Sequence, residues 1–193
     1  MTHHMLGRPG SGDIVLLCLD ALSVQADSDG PDEAAAEPWA PGAARLLAHA
    51  RAEGWSVGHV ISRRPRPGET PWRPVDGLAP WPSEPVYHRE QPSAFSSDEL
   101  CDALGGGTRA EAVLCGISVN GSCLATAMDA LRLGLRLTVA TDAMWLAPAE
   151  RTGLDGFLSL QRLGLAQSVI RLAPSDTLTQ PWQRLRLLQG GRV

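Results

Sequence analysis

The chain has 193 residues, a length that favours one domain with a complete hydrophobic core. Its composition, 44% hydrophobic and 20% charged, is typical of globular proteins, and a net charge of −4 excludes a strongly basic nucleic-acid or membrane surface. All 17 basic residues are arginines, which excludes Schiff-base chemistry and a phosphate-binding loop that depends on lysine.

The cysteines and the N-terminus indicate the compartment. The four cysteines form no Cys-x-x-Cys pair, and Cys18, Cys115 and Cys123 lie in apolar segments, which is typical of core thiols in a reducing environment. The chain has no signal-peptide pattern and no run of 18 apolar residues. We therefore expect a cytoplasmic protein that binds neither nucleic acid nor membrane.

The first elements predict an α/β protein. Residues 1–12 are polar and rich in Gly and Pro, so we expect them to be disordered. The run Ile14–Leu19 predicts a buried parallel strand that ends at Asp20. A helix is predicted from Pro41 to Glu53, where Gly54 ends it, and a second strand from Trp55 to Ser62.

Residues 63–85 hold seven prolines and predict a long irregular loop. Loops of this length are typically functional, as a lid or as an arm at an interface. Arg63 and Arg64 are candidates to bind a substrate carboxylate, although a solvated loop is the more ordinary explanation of this basic cluster. Trp72 and Trp81 either form the wall of a substrate pocket or pack the loop onto the domain.

The remaining elements alternate between strand and helix. The predicted strands are 85–88, 112–116, 135–140 and 168–172, and the predicted helices are 98–104 (capped by Ser96 or Ser97), 122–133 and 154–163. This alternation predicts an open, mostly parallel six-stranded sheet with helices on both faces, a doubly wound domain over residues 13–173. Residues 174–193 are expected to form a C-terminal arm or a short helix.

The segment from Val113 to Ala130 predicts a buried strand, a tight turn and a helix, with Ser122 in the first helical turn. Ligands bind at this edge of an open parallel sheet, and a helix N-terminus offers N–H groups to an anion or an oxyanion. An ordinary strand–turn–helix connection explains the same pattern. The helix has an apolar stripe of Leu124, Ala127, Met128 and Leu131 and further apolar residues elsewhere, so we expect a homo-oligomer.

Four segments, in this order and spacing, resemble the isochorismatase-like (cysteine hydrolase) superfamily, which includes isochorismatases, nicotinamidases and carbamoylsarcosine amidases. The segments are Leu16–Asp20, Arg89–Phe95, Gly116–Ser122, and Thr126–Ala130 with Val139–Ala143. They are similar to the first strand ending in Asp, the Lys-x-x-x-Ser-Ala-Phe segment, the Gly-Val-x-Thr-x-x-Cys turn, and the helix and strand that follow it.

The resemblance implies a catalytic triad of Asp, Lys and Cys, of which this chain keeps only the first. Asp20 matches, Arg89 stands at the Lys position, and Ser122 stands at the Cys position. Cys123, one residue later, is an alternative nucleophile if the turn shifts by one residue.

The resemblance also implies the surroundings of this triad. Ser118, Val119 and Ser122 correspond to the oxyanion hole, where family members often have a cis peptide, here the Ser118–Val119 bond. Phe95 and Val119 are implied to contact the substrate. Asp20 is not followed by an Asp-x-His cluster, so we expect neither a metal nor another cofactor.

Three functions fit these residues. In the first, which the resemblance to isochorismatases implies, Asp20 is the general acid of a vinyl-ether hydrolase, and Arg89, with Arg63 or Arg64, binds the carboxylates of a small-molecule substrate. In the second, Ser122 is acylated by a reactive amide or ester. In the third, the site is inert, Asp20 and Arg89 form a structural ion pair, and the protein is a binding or assembly subunit.

Overall fold

The computed structural model describes residues 14–21, 39–62, 74–104, 111–118, 121–146, 152–153, 155 and 170–180. Residues 1–12, most of the helix predicted over 154–163, and the end of the predicted C-terminal arm therefore lie outside the described residues. Among the described residues, no helix is both long and apolar enough to cross a membrane.

The described residues form one six-stranded sheet in which every neighbouring pair of strands is parallel. The strands are β1 (Ile14–Leu19), β2 (Ser56–Ile61), β3 (Val86–His88), β4 (Glu111–Ser118), β5 (Arg136–Leu146) and β6 (Ile170–Ala173). Their order across the sheet is β3-β2-β1-β4-β5-β6. This arrangement confirms the predicted open α/β sheet.

Helices cover both faces of this sheet. They are α1 (Trp39–Ala52), α2 (Asp98–Ala103), α3 (Ser122–Arg132) and the short α4 (Ser175–Leu178), with a 3₁₀ turn at Ala94–Ser96. In β1, Val15, Leu17 and Leu19 belong to an apolar core with residues of α3, and the alternate side chains belong to a second core with residues of α1. Because β1 is buried on both faces, its sequence is continuously apolar.

Strand β5 is longer than predicted. It runs on to Leu146, whereas the sequence indicated an end at Ala140. The pairing of β4 with β5 shifts register between Leu114 and Gly116, where Gly116 pairs with Met144. This irregularity lets the polar residues 141–142 remain within the strand, although their polarity is typical of a loop.

Helix α3 buries a different face from the predicted one. Its buried residues are Ser122, Cys123, Thr126, Ala127 and Ala130, whereas Met128 is 56% exposed and Leu133 is 41% exposed. Of the predicted stripe, only Ala127 is buried, because the small residues allow close packing on the sheet. Leu124 packs near Gly153, where an added Cβ would lie 3.2 Å from its Cδ2 atom. The homo-oligomer stays a prediction.

A close approach between β1 and β4 sets the geometry at the carboxyl edge of the sheet. Gly116 has a φ of +116°, and a Cβ atom there would lie 2.1 Å from the carbonyl oxygen of Leu19. A side chain at this position is therefore excluded both by backbone conformation and by space. The contact holds the end of β4 directly beside the end of β1, where Asp20 follows.

We expect Gly116→Ala to lower the free energy of unfolding by about 3 kcal/mol or more, because strain and overpacking add at this position. The matched control is Gly134→Ala, where φ is +70° but no atom beyond its own chain neighbours, among the described residues, lies within 4 Å of the added Cβ. The control should cost about 1 kcal/mol. Denaturant unfolding measures both, and equal losses would contradict the steric argument.

The described part of the proline-rich loop, residues 74–85, lies along α1 as an irregular strap. The Val75 N–H donates to the carbonyl of Ala21 (3.1 Å), Gly77 lies close to Ala44, and Leu78 is fully buried. The strap therefore runs from the carboxyl edge of the sheet, beside Asp20, to the start of β3 at the opposite edge.

Glu84 anchors the end of the strap that precedes β3. Its carboxylate accepts hydrogen bonds from Arg51 Nε (2.7 Å) and Nη2 (2.8 Å) and from the Trp81 N–H (2.9 Å), and lies 2.9 Å from Nε2 of buried His59. Burial acts to raise the pKa of Glu84, but these hydrogen bonds and the Arg51 charge together lower it to about 2. Burial lowers the pKa of His59.

We expect Glu84→Gln to lower the free energy of unfolding by about 1–3 kcal/mol at neutral pH, because it leaves Arg51 without its charged partner. The folded-state pKa of Glu84 is depressed, so its contribution is full above the unfolded-state value of 4.5 and is lost as the pH falls toward 2. Unfolding curves over this pH range test the prediction.

The control for Glu84→Gln is Asp76→Asn, which removes an exposed carboxylate from the same strap. It should change stability by less than about 0.5 kcal/mol. A stability difference between Glu84→Gln and the parent that stays constant from pH 7 to acid would show that the Glu84 charge does not hold the strap.

Candidate functional site

Asp20 occupies the position in the sheet where ligands bind in open α/β folds. The chain turns from β1 to β2 and β3 on one side and then returns to β4 on the other, so the strand order reverses between β1 and β4. Asp20 follows β1 at this switch point with a φ of +47° and is 3% exposed. Its N–H donates to the carbonyl of Val60 (2.8 Å), which fixes the strained backbone.

Arg89 reaches this carboxylate from two strands away. It follows β3, where its N–H donates to the carbonyl of Ile61 (2.9 Å). Its Nη2 forms a buried ion pair with Oδ2 of Asp20, and its Nη1 donates to the carbonyls of Gln91 and Pro92 (2.8 Å each). The guanidinium is thus held in one plane between the protein backbone and Asp20.

The second carboxylate oxygen of Asp20 is held by the backbone. The N–H of Ser62 donates to Oδ1 at 2.8 Å. Burial raises the pKa of the Asp20 carboxyl, and this effect exceeds the opposing influence of the Arg89 charge and of the hydrogen bonds from Arg89 and Ser62. The site therefore combines a fixed orientation with a carboxyl group that retains its proton to higher pH than usual.

Arg89 has little capacity left for a substrate carboxylate. Three of its N–H groups serve Gln91, Pro92 and Asp20, as described above. Its Nε atom is buried and has no hydrogen-bond partner in the described part of the chain. The structure thus brings Arg89 together with Asp20, as a support of that carboxyl group.

Ser122 begins α3 beside the end of β4 and is 1% exposed. Its Oγ lies 2.8 Å from Oγ of Ser118, the last residue of β4. The Ser118 Oγ also accepts the N–H of Cys123 (2.7 Å), so it caps a helix whose N-cap, Gly121, has no side chain for that purpose. The Cys123 side chain is fully buried in the core between α3 and the sheet.

Thr126 ties this helix to the segment that follows Arg89. Its hydroxyl donates to the Ser122 carbonyl (2.7 Å) and accepts the N–H of Ala94 (2.9 Å). Phe95, the next residue, is buried in the same core as Cys123. The roles of Ser62 and Thr126 were not predicted from the sequence. For Thr126 the available signals were its position one helical turn after Ser122 and its place at the start of a segment that resembles the family.

Among the other predicted site residues that the structure describes, Trp81 is not brought together with Asp20. Trp81 precedes β3 at the opposite edge of the sheet, where the Arg51 guanidinium stacks 4.4 Å from its ring centroid. Arg63, Arg64, Trp72 and Val119, and with Val119 the bond predicted to be cis, lie outside the described residues. Within the described ranges, His, Cys, Asp and Glu do not gather in groups of three or more that could hold a metal ion.

Solved structures share this architecture. The isochorismatase from Pseudomonas putida superposes with a TM-score of 0.62 at 24% identity, covering 88% of this chain and 92% of that one. N-carbamoylsarcosine amidase from Thermoplasma acidophilum gives a TM-score of 0.66 at 20% identity, covering 85% and 97%. An isochorismatase family protein from Desulfovibrio vulgaris gives 0.61 at 26% identity, covering 86% and 95%.

No curated protein matches the chain in sequence. The model of the isochorismatase domain, however, matches residues 15–157, which include Asp20, Arg89 and Ser122. This match spans most of the chain, from the second residue of β1 to beyond the end of β5. The chain belongs to the isochorismatase family of hydrolases.

Proposed function

We propose that the chain hydrolyses a small vinyl ether that carries a carboxylate, with Asp20 as the acid/base. The observation that supports this proposal best is the buried Asp20 carboxyl at the switch point, whose pKa is raised by burial. A general acid must hold its proton near the working pH, and desolvation gives a carboxyl group this property.

In this reaction, Asp20 donates its proton to the terminal carbon of the carbon–carbon double bond, whose electron pair forms the new C–H bond. The carbon that bears the ether oxygen becomes an oxocarbenium ion, and water adds to it. The resulting hemiketal breaks its bond to the ether oxygen, which takes the proton of the hemiketal hydroxyl and leaves as an alcohol, while the carbon that keeps the other oxygen becomes a ketone. The proton released by water returns to Asp20.

Arg89 and Ser62 support both states of the acid. Their N–H groups hold the carboxyl group in place, and they stabilise the carboxylate that forms when the proton leaves. Arg63, Arg64 and Trp72 remain our candidates for binding the substrate, together with Phe95 and Val119. In this proposal Ser122 lines the site and positions the attacking water.

The vinyl-ether reaction fits this site better than amide hydrolysis because it needs no nucleophile from the protein. A serine hydroxyl is much less acidic than the thiol of the related cysteine hydrolases, and a carboxylate is a poor base for it without a histidine relay. Acylation of Ser122 would therefore require an unusually reactive substrate.

We expect the protein to consume isochorismate and to be far slower with a panel of primary amides. Asp20→Asn should lower kcat by about 10²–10⁴-fold, the contribution typical of a general acid. Ser122→Ala should have a smaller effect, since the proposed reaction does not use Ser122 as a nucleophile. The matched control is Asp76→Asn, which neutralises an exposed carboxylate on the strap and should keep the parental rate.

The same assays identify the alternatives. Amide hydrolysis that disappears in Ser122→Ala would show that Ser122 is acylated. A parent protein that turns over neither class, but gains amide hydrolysis in Ser122→Cys with Arg89→Lys, would show that the site is inert in this chain. Asp20→Asn with the parental rate on isochorismate would exclude Asp20 as the acid.

The pH dependence follows from the sign of the Asp20 pKa shift. Because the acid form is the active one, kcat/KM should be highest at low pH, within the range where the protein is folded, and should fall tenfold per pH unit above the raised pKa. Rates measured across pH test this expectation. A kcat/KM that rises with pH would instead indicate that Asp20 acts first as a base.

A further inference from the structure

The family resemblance places Ser118 at the oxyanion hole but gives no role to its hydroxyl. Ser118 ends β4 and is fully buried, and its Oγ is in contact with two groups of α3. It accepts the N–H of Cys123 at 2.7 Å and lies 2.8 Å from the Oγ of Ser122. Both separations are those of well-formed hydrogen bonds.

We propose that Ser118 is a positioning residue whose hydroxyl connects the N-terminal amide of α3 to the Ser122 side chain. It fixes the orientation of that side chain, and it would stabilise a negative charge placed there, such as the thiolate of Ser122→Cys. This inference rests on the proposed function only in that Ser122 belongs to the same site. Ser118 itself does not contact the substrate in this proposal.

The direction of the hydrogen bonds supports the connection. One lone pair of the Ser118 Oγ is used by the Cys123 N–H, while its own hydrogen can be donated to Ser122. An oxygen that accepts a hydrogen bond becomes a better donor, because hydrogen bonds in a chain polarise one another. The amide lies in the first turn of α3, where the helix dipole is positive.

The Cys123 N–H, in the first turn of α3, is used within the protein rather than offered directly to an oxyanion. The helix N-terminus was expected to offer its N–H groups directly to a developing negative charge. The Cys123 N–H instead donates to Ser118. The electrostatic effect of that N–H therefore reaches the site through the Ser118 hydroxyl, and it acts on the side chain of residue 122 rather than on a substrate oxygen.

A thiol at residue 122 reports this effect without any substrate. In Ser122→Cys, the ionisation of the new thiol is followed by the ultraviolet absorbance of its thiolate across pH, as the difference from the parent protein. The same titration in Ser118→Ala with Ser122→Cys is measured as the difference from Ser118→Ala alone. Each difference removes the contribution of the four native cysteines.

We expect the thiol of Ser122→Cys to ionise about one pH unit higher when Ser118 is replaced by alanine, because the thiolate loses a hydrogen-bond donor. Ser118→Thr keeps the hydroxyl and should preserve the titration of Ser122→Cys. The matched control is Ser97→Ala, which removes a different buried serine that caps α2 through the Leu100 N–H, and it should leave the titration unchanged.

Unchanged thiol ionisation in Ser118→Ala would overturn the proposal, as would an equal shift in Ser97→Ala. If Ser118→Ala does not fold, Ser118→Gly provides a second removal of the hydroxyl, with folding checked by circular dichroism. Because the titration needs no turnover, failure to hydrolyse isochorismate contradicts the proposed function alone, and an unchanged titration contradicts this inference alone.

Discussion

The buried ion pair between Asp20 and Arg89 is the interaction on which the geometry of the site depends. Asp20 follows β1 and Arg89 follows β3, so the pair spans the end of β2 that lies between them. A buried ion pair is costly unless its groups are also hydrogen-bonded. Here the Ser62 N–H donates to Asp20 and two backbone carbonyls accept from Arg89, whose Nε alone has no partner among the described residues. These contacts thereby hold the carboxyl ends of β1, β2 and β3 together.

On the other side of Asp20, packing rather than charge sets the geometry. Gly116 allows the backbones of β1 and β4 to touch, and Thr126 holds the first turn of α3 against the segment after Arg89. Asp20, held by its ion pair, and Ser122, held by the first turn of α3, therefore lie at the same edge of the sheet. The strap anchored by Glu84 lies alongside α1. At its other end, the Val75 N–H donates a hydrogen bond to the carbonyl of Ala21, next to Asp20.

Much of the fold could be predicted because local and tertiary signals agree. The bounds of β1 were predicted to the residue, since a run buried on both faces is apolar throughout and ends at a charge. The extension of β5 was missed because it depends on a register shift against β4, and the buried face of α3 was missed because Ala and Thr, not Leu and Met, fit against the sheet. Tertiary packing decides both features.

Only some residues of the candidate site could be located from the sequence. Asp20 and Ser122 could be placed at the carboxyl edge of the sheet from the strands that they follow, whereas Arg89 was named only through the family resemblance. Their roles in catalysis stay predictions. The location of Trp81 could not be predicted, because contacts between residues far apart in sequence, such as those of Glu84 with Arg51 and His59, hold that part of the loop at the opposite edge. An arginine at the position of Arg89 also stays charged at all relevant pH values, whereas a lysine can release its proton. Within the Asp20–Arg89 pair, the only group that can donate or accept a proton is therefore Asp20, and proton transfer at this pair must pass through its carboxyl group.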